Sequence, residues 1–327
     1  MDRKKEEKIK FAEENLKDIQ DYFPAGYENV ECEIQEKEKD NGMIKKGIVF
    51  FHSGKKPGSW VCVDDFFEEA DKEKRTVTEI KETVSRIALE SMENMERTKF
   101  ELKNFESIAP FLSVKLVNTK ANREMLSIMP HRKVEDLSLI FILRFQGTEN
   151  KVYGDMPVTY GLAQHWGKSR EELYVTAMKN AMRKDAPILE DTLEVLAETT
   201  GQGTGRHNYL YETHPGKETE VISFMLTNAS RTYGAAAILY PGVRERIDRI
   251  FSEGFYIIPS SVHEVLIASK DCGKSPRELG ELVREMNLSG EMAGEEYLSD
   301  RIYSYDRKKK IICQVMDSVK KEKEAER

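Results

Sequence analysis

Residues 221–265, VISFMLTNASRTYGAAAILYPGVRERIDRIFSEGFYIIPSSVHEV, carry the densest apolar runs in the chain, and their reading decides the fold. The spacing predicts a strand over 220–226, then a helix opened by Pro241 with Val243, Ile247, Ile250 and Phe251 on its core face. A β-hairpin follows, in which 255–258 returns through Pro259, Ser260 and Ser261 into 262–268. The polar residues Asn228, Ser230, Tyr233, Ser260, Ser261, His263 and Glu264 fall at the ends of these runs, where strands give way to loops and where sites are usually built.

Working outward, Val30, Cys32 and Ile34 alternate with glutamates, Asp40-Asn41-Gly42 predicts a turn, and Ile48-Val49-Phe50-Phe51 completes a hairpin. A third strand is expected over 60–63, leading to Asp64 as the N-cap of a helix through Ala70. Ile9, Ala12, Leu16 and Ile19 predict a first helix over 3–22; Ile80, Val84, Ile87 and Ala88 predict another over 76–94. Beyond these come a strand over 113–117, a helix over 120–128 and a buried strand over 137–143. Helices are expected over 158–166, 169–183 and 189–197, the second opened by the capping box Ser169-x-x-Glu172. A Gly/Thr-rich loop spans 199–216. A second capping box, Ser275 to Glu278 with Pro276 inside it, starts a helix whose stripe is Leu279, Leu282, Val283 and Met286. A last hairpin joins 302–305 to 311–315, and the final dozen residues read as frayed helix. The class is α+β: antiparallel sheets and hairpins covered by amphipathic helices. A smaller N-terminal layer is expected over 1–98, a larger domain over 99–318 and a charged tail over 319–327.

Composition bounds the function. The 327 residues are 39% hydrophobic and 33% charged, with a formal net charge of −7. An acidic chain repels nucleic acid unless a local basic patch holds it, and the basic runs at 307–310 and 320–327 read as a turn and a mixed-charge tail, so a nucleic-acid partner is not expected. No run approaches the roughly 18 apolar residues of a membrane span, and MDRKKEEKIK has no apolar signal core, so a cytoplasmic protein is expected. The four cysteines, Cys32, Cys62, Cys272 and Cys313, form no C-x-x-C pair, which signals neither disulfides nor zinc. No cofactor fingerprint is present: Gly201-x-Gly203-x-Gly205-Arg206 lacks the Lys-Ser/Thr of a P-loop and follows an expected helix where a dinucleotide fold needs a strand.

The order of FPAGYENVE, the DNG turn at 40–42, PHRKVEDL at 130–137, WGKSREELYVTAMKNA at 166–181, MLTNASRTYGAAAILYPGV at 225–243 and FYIIPSSVHEV at 255–265 resembles an uncharacterised bacterial family, domain of unknown function 5688, over essentially the whole chain. GSWVCV at 58–63 departs from the proline-led strand expected there, which touches only that strand edge. The central and C-terminal order is also similar, more distantly, to a second uncharacterised group. Neither resemblance implies a reaction, a cofactor or a partner.

Two constellations could carry chemistry. Ser260, Ser261, His263 and Glu264 hold a hydroxyl, a base and a carboxylate, the parts acyl transfer needs. Against this, adjacent strand residues point to opposite faces, so His263 and Glu264 would not serve one site, and no G-x-S-x-G elbow occurs. The plainer reading is a turn whose serines bond the backbone, with His263 packed beside Val265 and Ile267. His131 and Arg132, with Glu135 and Asp136, could bind an anion through Arg132; equally, they could end a helix and lead into the buried strand. Asn228, Ser230 and Tyr233 read as a polar turn or a ligand surface. The six histidines include no H-E-x-x-H and no i, i+4 pair, so no metal is expected. Two functions follow: a non-catalytic binding or accessory module with a protein or small-molecule partner, or a hydrolase-like enzyme assembled from 130–136 and 228–264.

Overall fold

The alternation at 30–34 buries Val30 beneath a long hairpin, β1 (Val30–Glu38) paired with β2 (Ile44–His52) in the register Val30↔His52 through Glu38↔Ile44. The turn at its tip places Asn41 in the left-handed region at φ 60°, a conformation asparagine tolerates better than most residues. Strand β3 (Ser59–Cys62) adds antiparallel to β2, so the departure at 58–63 did not cost the strand. Helix α1 (Val77–Arg97) lays Ile80, Val84, Ala88 and Met92 into one core with Ile48, Phe50 and Val61. The structure is a computed structural model, and it describes residues 10–11, 13–14, 18–52, 59–62, 75–97, 102, 104–146, 152–201, 207–211, 223–288 and 296–315. The helix expected after Asp64, most of those over 3–22, most of the 199–216 loop and the tail lie outside the described residues. Its contacts divide the chain into two units, Met1–Glu101 with Phe145–Gly154, and Leu102–Arg144 with Asp155–Arg327.

The second unit carries two antiparallel sheets. One has four strands: β4 (Leu112–Asn118), β5 (His131–Val134), β6 (Leu137–Gln146) and β7 (Val152–Pro157), with β6 in the middle. The other orders six strands as β13-β12-β10-β11-β9-β8, namely Ile311–Gln314, Tyr303–Asp306, Phe255–Pro259, Val265–Ser269, Ser223–Asn228 and Pro187–Asp191. The short helices α2 (Phe105–Ile108), α3 (Arg123–Ser127) and α4 (Tyr160–His165) join these layers, and α5 (Arg170–Lys184) buries Leu173, Ala177, Met178 and Ala181. Helices α6 (Thr192–Thr199), α7 (Val243–Ile250) and α8 (Pro276–Leu288) complete it. The α+β class is as expected.

Four local expectations change. Residues 189–197 are not one helix: 187–191 forms edge strand β8, and Asp191 then caps α6 by accepting the Leu193 N–H at 2.8 Å. An edge strand tolerates the leading proline, and pairing with β9 overrides the weak helical pattern. Pro241 does not open its helix; Gly242 stands at the N-cap at φ 79° and α7 begins at Val243. The helix expected over 120–128 shrinks to α3 because Asn118 Oδ1 accepts the Ala121 N–H and turns the chain first. Residues 131–134, read as a helix end leading to a strand, are themselves strand β5, and the turn into β6 puts Glu135 at φ 55°.

Both capping boxes form. At α5, Ser169 N–H and hydroxyl donate to Glu172 at 2.9 and 2.8 Å, and Glu172 N–H returns to Ser169 Oγ. The Ser169 backbone N–H, and after it the hydroxyl, hold the Glu172 carboxyl below its ordinary 4.5. A carboxyl whose folded pKa is depressed contributes stability above the unfolded value and loses it as pH falls through the folded one. The difference in melting temperature between wild type and Ser169→Ala is therefore expected to be full at pH 7 and to shrink below about pH 4.5. Thermal melts followed by circular dichroism at pH 7, 4 and 3 check this; a difference unchanged at pH 3 contradicts it.

Candidate functional site

The loop after β9 is held by a carboxylate that the sequence reading passed over. Asp185, at the C-cap of α5 and 4% exposed, accepts from Arg144 Nη1 at 2.6 Å and from Asn228 Nδ2, Ser230 N–H and Ser230 Oγ–H, each at 2.8 Å. Arg144 Nη2 in turn donates to Ser230 Oγ at 2.8 Å. Asn228 is used at both ends: Nδ2 also donates to Thr232 O, and Oδ1 accepts the Thr232 N–H. The ion pair is dry, its side chains 5% and 6% exposed, so each charge depends on its partner for compensation. Beside it, burial pushes the Tyr240 phenol well above its usual range, the Asp185 charge adds to that, and a bond with Asn228 opposes it.

This clamp forces an unusual backbone. Arg231 and Tyr233 both stand in the left-handed region, at φ 53° and 58°, where side chains other than asparagine and glycine are disfavoured. Arg231 is anchored by two 2.7 Å bonds from Nη2 to the buried Glu190. Gly234 follows because nothing larger fits: a Cβ there would lie 2.3 Å from Thr227 Oγ1, 2.5 Å from His263 O and 2.7 Å from Asn228 N.

The strained turn delivers Tyr233 into a polar stack. Its hydroxyl donates to Asp155, its ring lies 5.6 Å from that of His263 at 13° between planes, and Lys115 Nζ sits 4.0 Å from its centroid. A cation over an aromatic face is favoured by the ring quadrupole, more so here because Lys115 is buried. Register explains the company: Lys115, Ile140 and His131 are opposite one another on β4, β6 and β5 and so share a face, and Arg144 lies four residues along β6 on that face.

The 260–264 segment is a loop, since β11 starts only at Val265. Ser261 Oγ donates to Glu264 Oε1 at 2.9 Å and accepts the His263 N–H at 3.0 Å. His263 Nδ1 accepts the Tyr233 backbone N–H at 3.2 Å, which leaves the neutral ring's proton on Nε2, 3.7 Å from Glu296 Oε1. His263 therefore packs on the Tyr233 ring. Ser260 is buried in the same loop.

The 131–136 segment splits. His131 Nδ1 bonds Met129 O at 2.9 Å. Arg132 is on the opposite face of β5, with its guanidinium 3.9 Å over the Tyr174 ring of α5. Asp136 receives the Ser299 and Tyr303 hydroxyls and sits 3.4 Å from Arg301. Burial pushes the Tyr303 phenol far up, and the Asp136 charge pushes it further. Asn228, Ser230, Tyr233 and His263 are thus brought together, Ser261 and Glu264 adjoin them, and Arg132 and Asp136 each belong to a different neighbourhood. The sequence reading missed Lys115, Arg144, Asp155, Asp185 and Glu190. A signal existed for two of them: Lys115 and Arg144 each interrupt an apolar strand run, SVKLV and LIFILRF, where a charge needs a reason.

Among the described residues no group of three or more His, Cys, Asp or Glu is disposed to hold a metal, and no helix is long and apolar enough to cross a membrane. Fold and site together define an antiparallel α+β protein with an ion pair buried behind a strained polar turn. The chain belongs to a family of unknown function, DUF5688, whose model matches residues 8–307. No curated protein and no solved structure matches it.

Proposed function

We propose that this protein is a non-catalytic binding or accessory module acting in the cytoplasm, with a small molecule or a protein as partner. The observation that carries the reading is the state of His263. A general base needs a free lone pair within reach of the hydroxyl it deprotonates, and the one lone pair of this ring accepts the Tyr233 N–H. The nearby Ser261 hydroxyl is directed at Glu264. The remaining polar groups of the turn, Asn228 and Ser230, are spent on Asp185 and on the turn backbone, which suits a rigid scaffold better than a reacting centre. Thiols that form no disulfide suit a reducing compartment. Hydrolysis of p-nitrophenyl acetate tests the reading. Wild type, Ser261→Ala and His263→Ala are expected to agree within about twofold, because removing a true general base costs roughly 100-fold or more. A loss of that size in either variant restores the hydrolase reading.

A further inference from the structure

We propose that a cleft of the second unit, distinct from the Asn228 turn, binds a small organic anion that carries a carboxylate or phosphate head on an apolar tail. The proposal rests on the binding-module reading and names the site and the ligand class for it.

The cleft holds about 370 Å³, and residues from β5 and its turn, α5, α7 and the β12–β13 turn line it. That volume falls within the roughly 300–1,000 Å³ of small-molecule sites. Its charge is opposite to that of the chain: Arg132, Arg244 and Lys310 meet the single carboxylate Glu135, in a protein of net charge −7. Three cations gathered on an acidic protein repel one another, and an anionic ligand relieves that repulsion.

Two of the three are pre-set. The Arg132 guanidinium carbon lies 3.9 Å from the centre of the Tyr174 ring, a contact that positions its donor fork before a ligand arrives. Its ion pair with Glu171 spans 3.7 Å between side chains 39% and 60% exposed, too solvated to neutralise it. Arg244 is tethered by Nη1 to Ile238 O at 3.1 Å, while its Nε is buried without a hydrogen-bond partner among the described residues. A guanidinium already stripped of water costs less to desolvate when an anion binds.

The walls add specificity. Leu139, Leu239 and Ile312 give the cleft an apolar side, and Ile311 stands at it 47% exposed. A bare inorganic ion would leave that surface wet, whereas an alkyl tail covers it. The two hairpin tips at the cleft are both strained, Glu135 and Lys310 each standing at φ 55°. Non-glycine residues in this region cost free energy, and such outliers cluster where ligands are clamped.

Isothermal titration calorimetry tests the proposal with octyl phosphate, octanoate, inorganic phosphate, acetate and octyl glucoside, the amphiphiles kept below their micellar concentrations. One-to-one binding by octyl phosphate or octanoate is expected, with the stronger of the two identifying the head group. Inorganic phosphate, acetate and octyl glucoside are expected to bind at least tenfold more weakly. Arg132→Gln and the exposed Lys310→Gln should each weaken the best probe about tenfold and threefold respectively, and Arg277→Gln on α8 should leave it unchanged. Arg244→Gln joins them if its circular dichroism matches wild type; Lys310→Gln carries the test if it does not. No saturable binding by either amphiphile, or equal affinity for octyl and inorganic phosphate, overturns the proposal. Neither result touches the ester-hydrolysis comparison, so the two readings fail separately.

Discussion

Asp185→Ala is expected to destabilise the second unit by about 3–5 kcal/mol, the cost of leaving a buried charge without its partner. The substitution strands the Arg144 guanidinium, whose Nε already lacks a partner among the described residues, and removes the acceptor of three further bonds from Asn228 and Ser230. Asp185→Asn should lose roughly half as much, since its carbonyl can still accept from Arg144 but its amide faces the Asn228 amide donor. Pairing Arg144→Met with Asp185→Leu should recover part of the loss, because two apolar groups need no compensation. The chain has two tryptophans, Trp60 in the first unit and Trp166 in the second. Urea unfolding in a Trp60→Phe background therefore reports the second unit through Trp166 fluorescence. A loss below about 1 kcal/mol for Asp185→Ala would mean that solvent reaches the pair.

Gly234→Ala should cost about 3 kcal/mol, the upper end for overpacking, although it adds a single methyl group. The added Cβ would meet the His263 carbonyl at 2.5 Å and the Asn228 nitrogen at 2.7 Å, both backbone atoms that cannot swing aside as a side chain would, so relief requires β9 and the 260–264 loop to part. The Thr227 hydroxyl bond to His263 O, 2.9 Å long, is expected to break with them. Gly161 in α4 is the control: its Cβ would make one ordinary contact at 3.7 Å, and alanine there should be neutral or stabilise by up to about 1 kcal/mol. The same urea measurement serves both. Equal effects at the two glycines would refute the argument from close approach.

Both expectations concern residues whose importance is poorly visible along the chain. Asn228 and His263 stood out as polar residues at run ends, and the structure does place them in one cluster. Asp185 reads as an unremarked polar residue after a helix, and Asp155 lies on β7, a strand that no spacing along the chain announces; neither has a local pattern to betray it. Lys115 and Arg144 were visible in principle as charges inside apolar strands, but their partners lie 118 and 41 positions away, at Tyr233 and Asp185. Arg132 was singled out for anion binding beside His131, yet strand alternation sends the two to opposite faces, and only Arg132 reaches the cationic cleft.

What depends on neighbours three or four residues apart could be read directly. The amphipathic stripe of α1, the capping boxes of α5 and α8 and the three hairpins arise from local hydrogen bonding and from one buried face, both encoded in short spacings. Strand β8 was decided by pairing with β9, from Pro187↔Asn228 to Asp191↔Phe224, where a marginal local helical preference yields to a ladder of backbone bonds and to burial. The conversion of 131–134 into β5 comes instead from a tight hairpin with β6 through the left-handed Glu135, and α7 starts at Val243 because Gly242 takes the left-handed N-cap. The site, like β8, is decided by contacts across long separations. A buried ion pair, a left-handed tyrosine and a glycine without room for a methyl group exist only once distant segments close on one another, because each is favourable through its partner and costly without it.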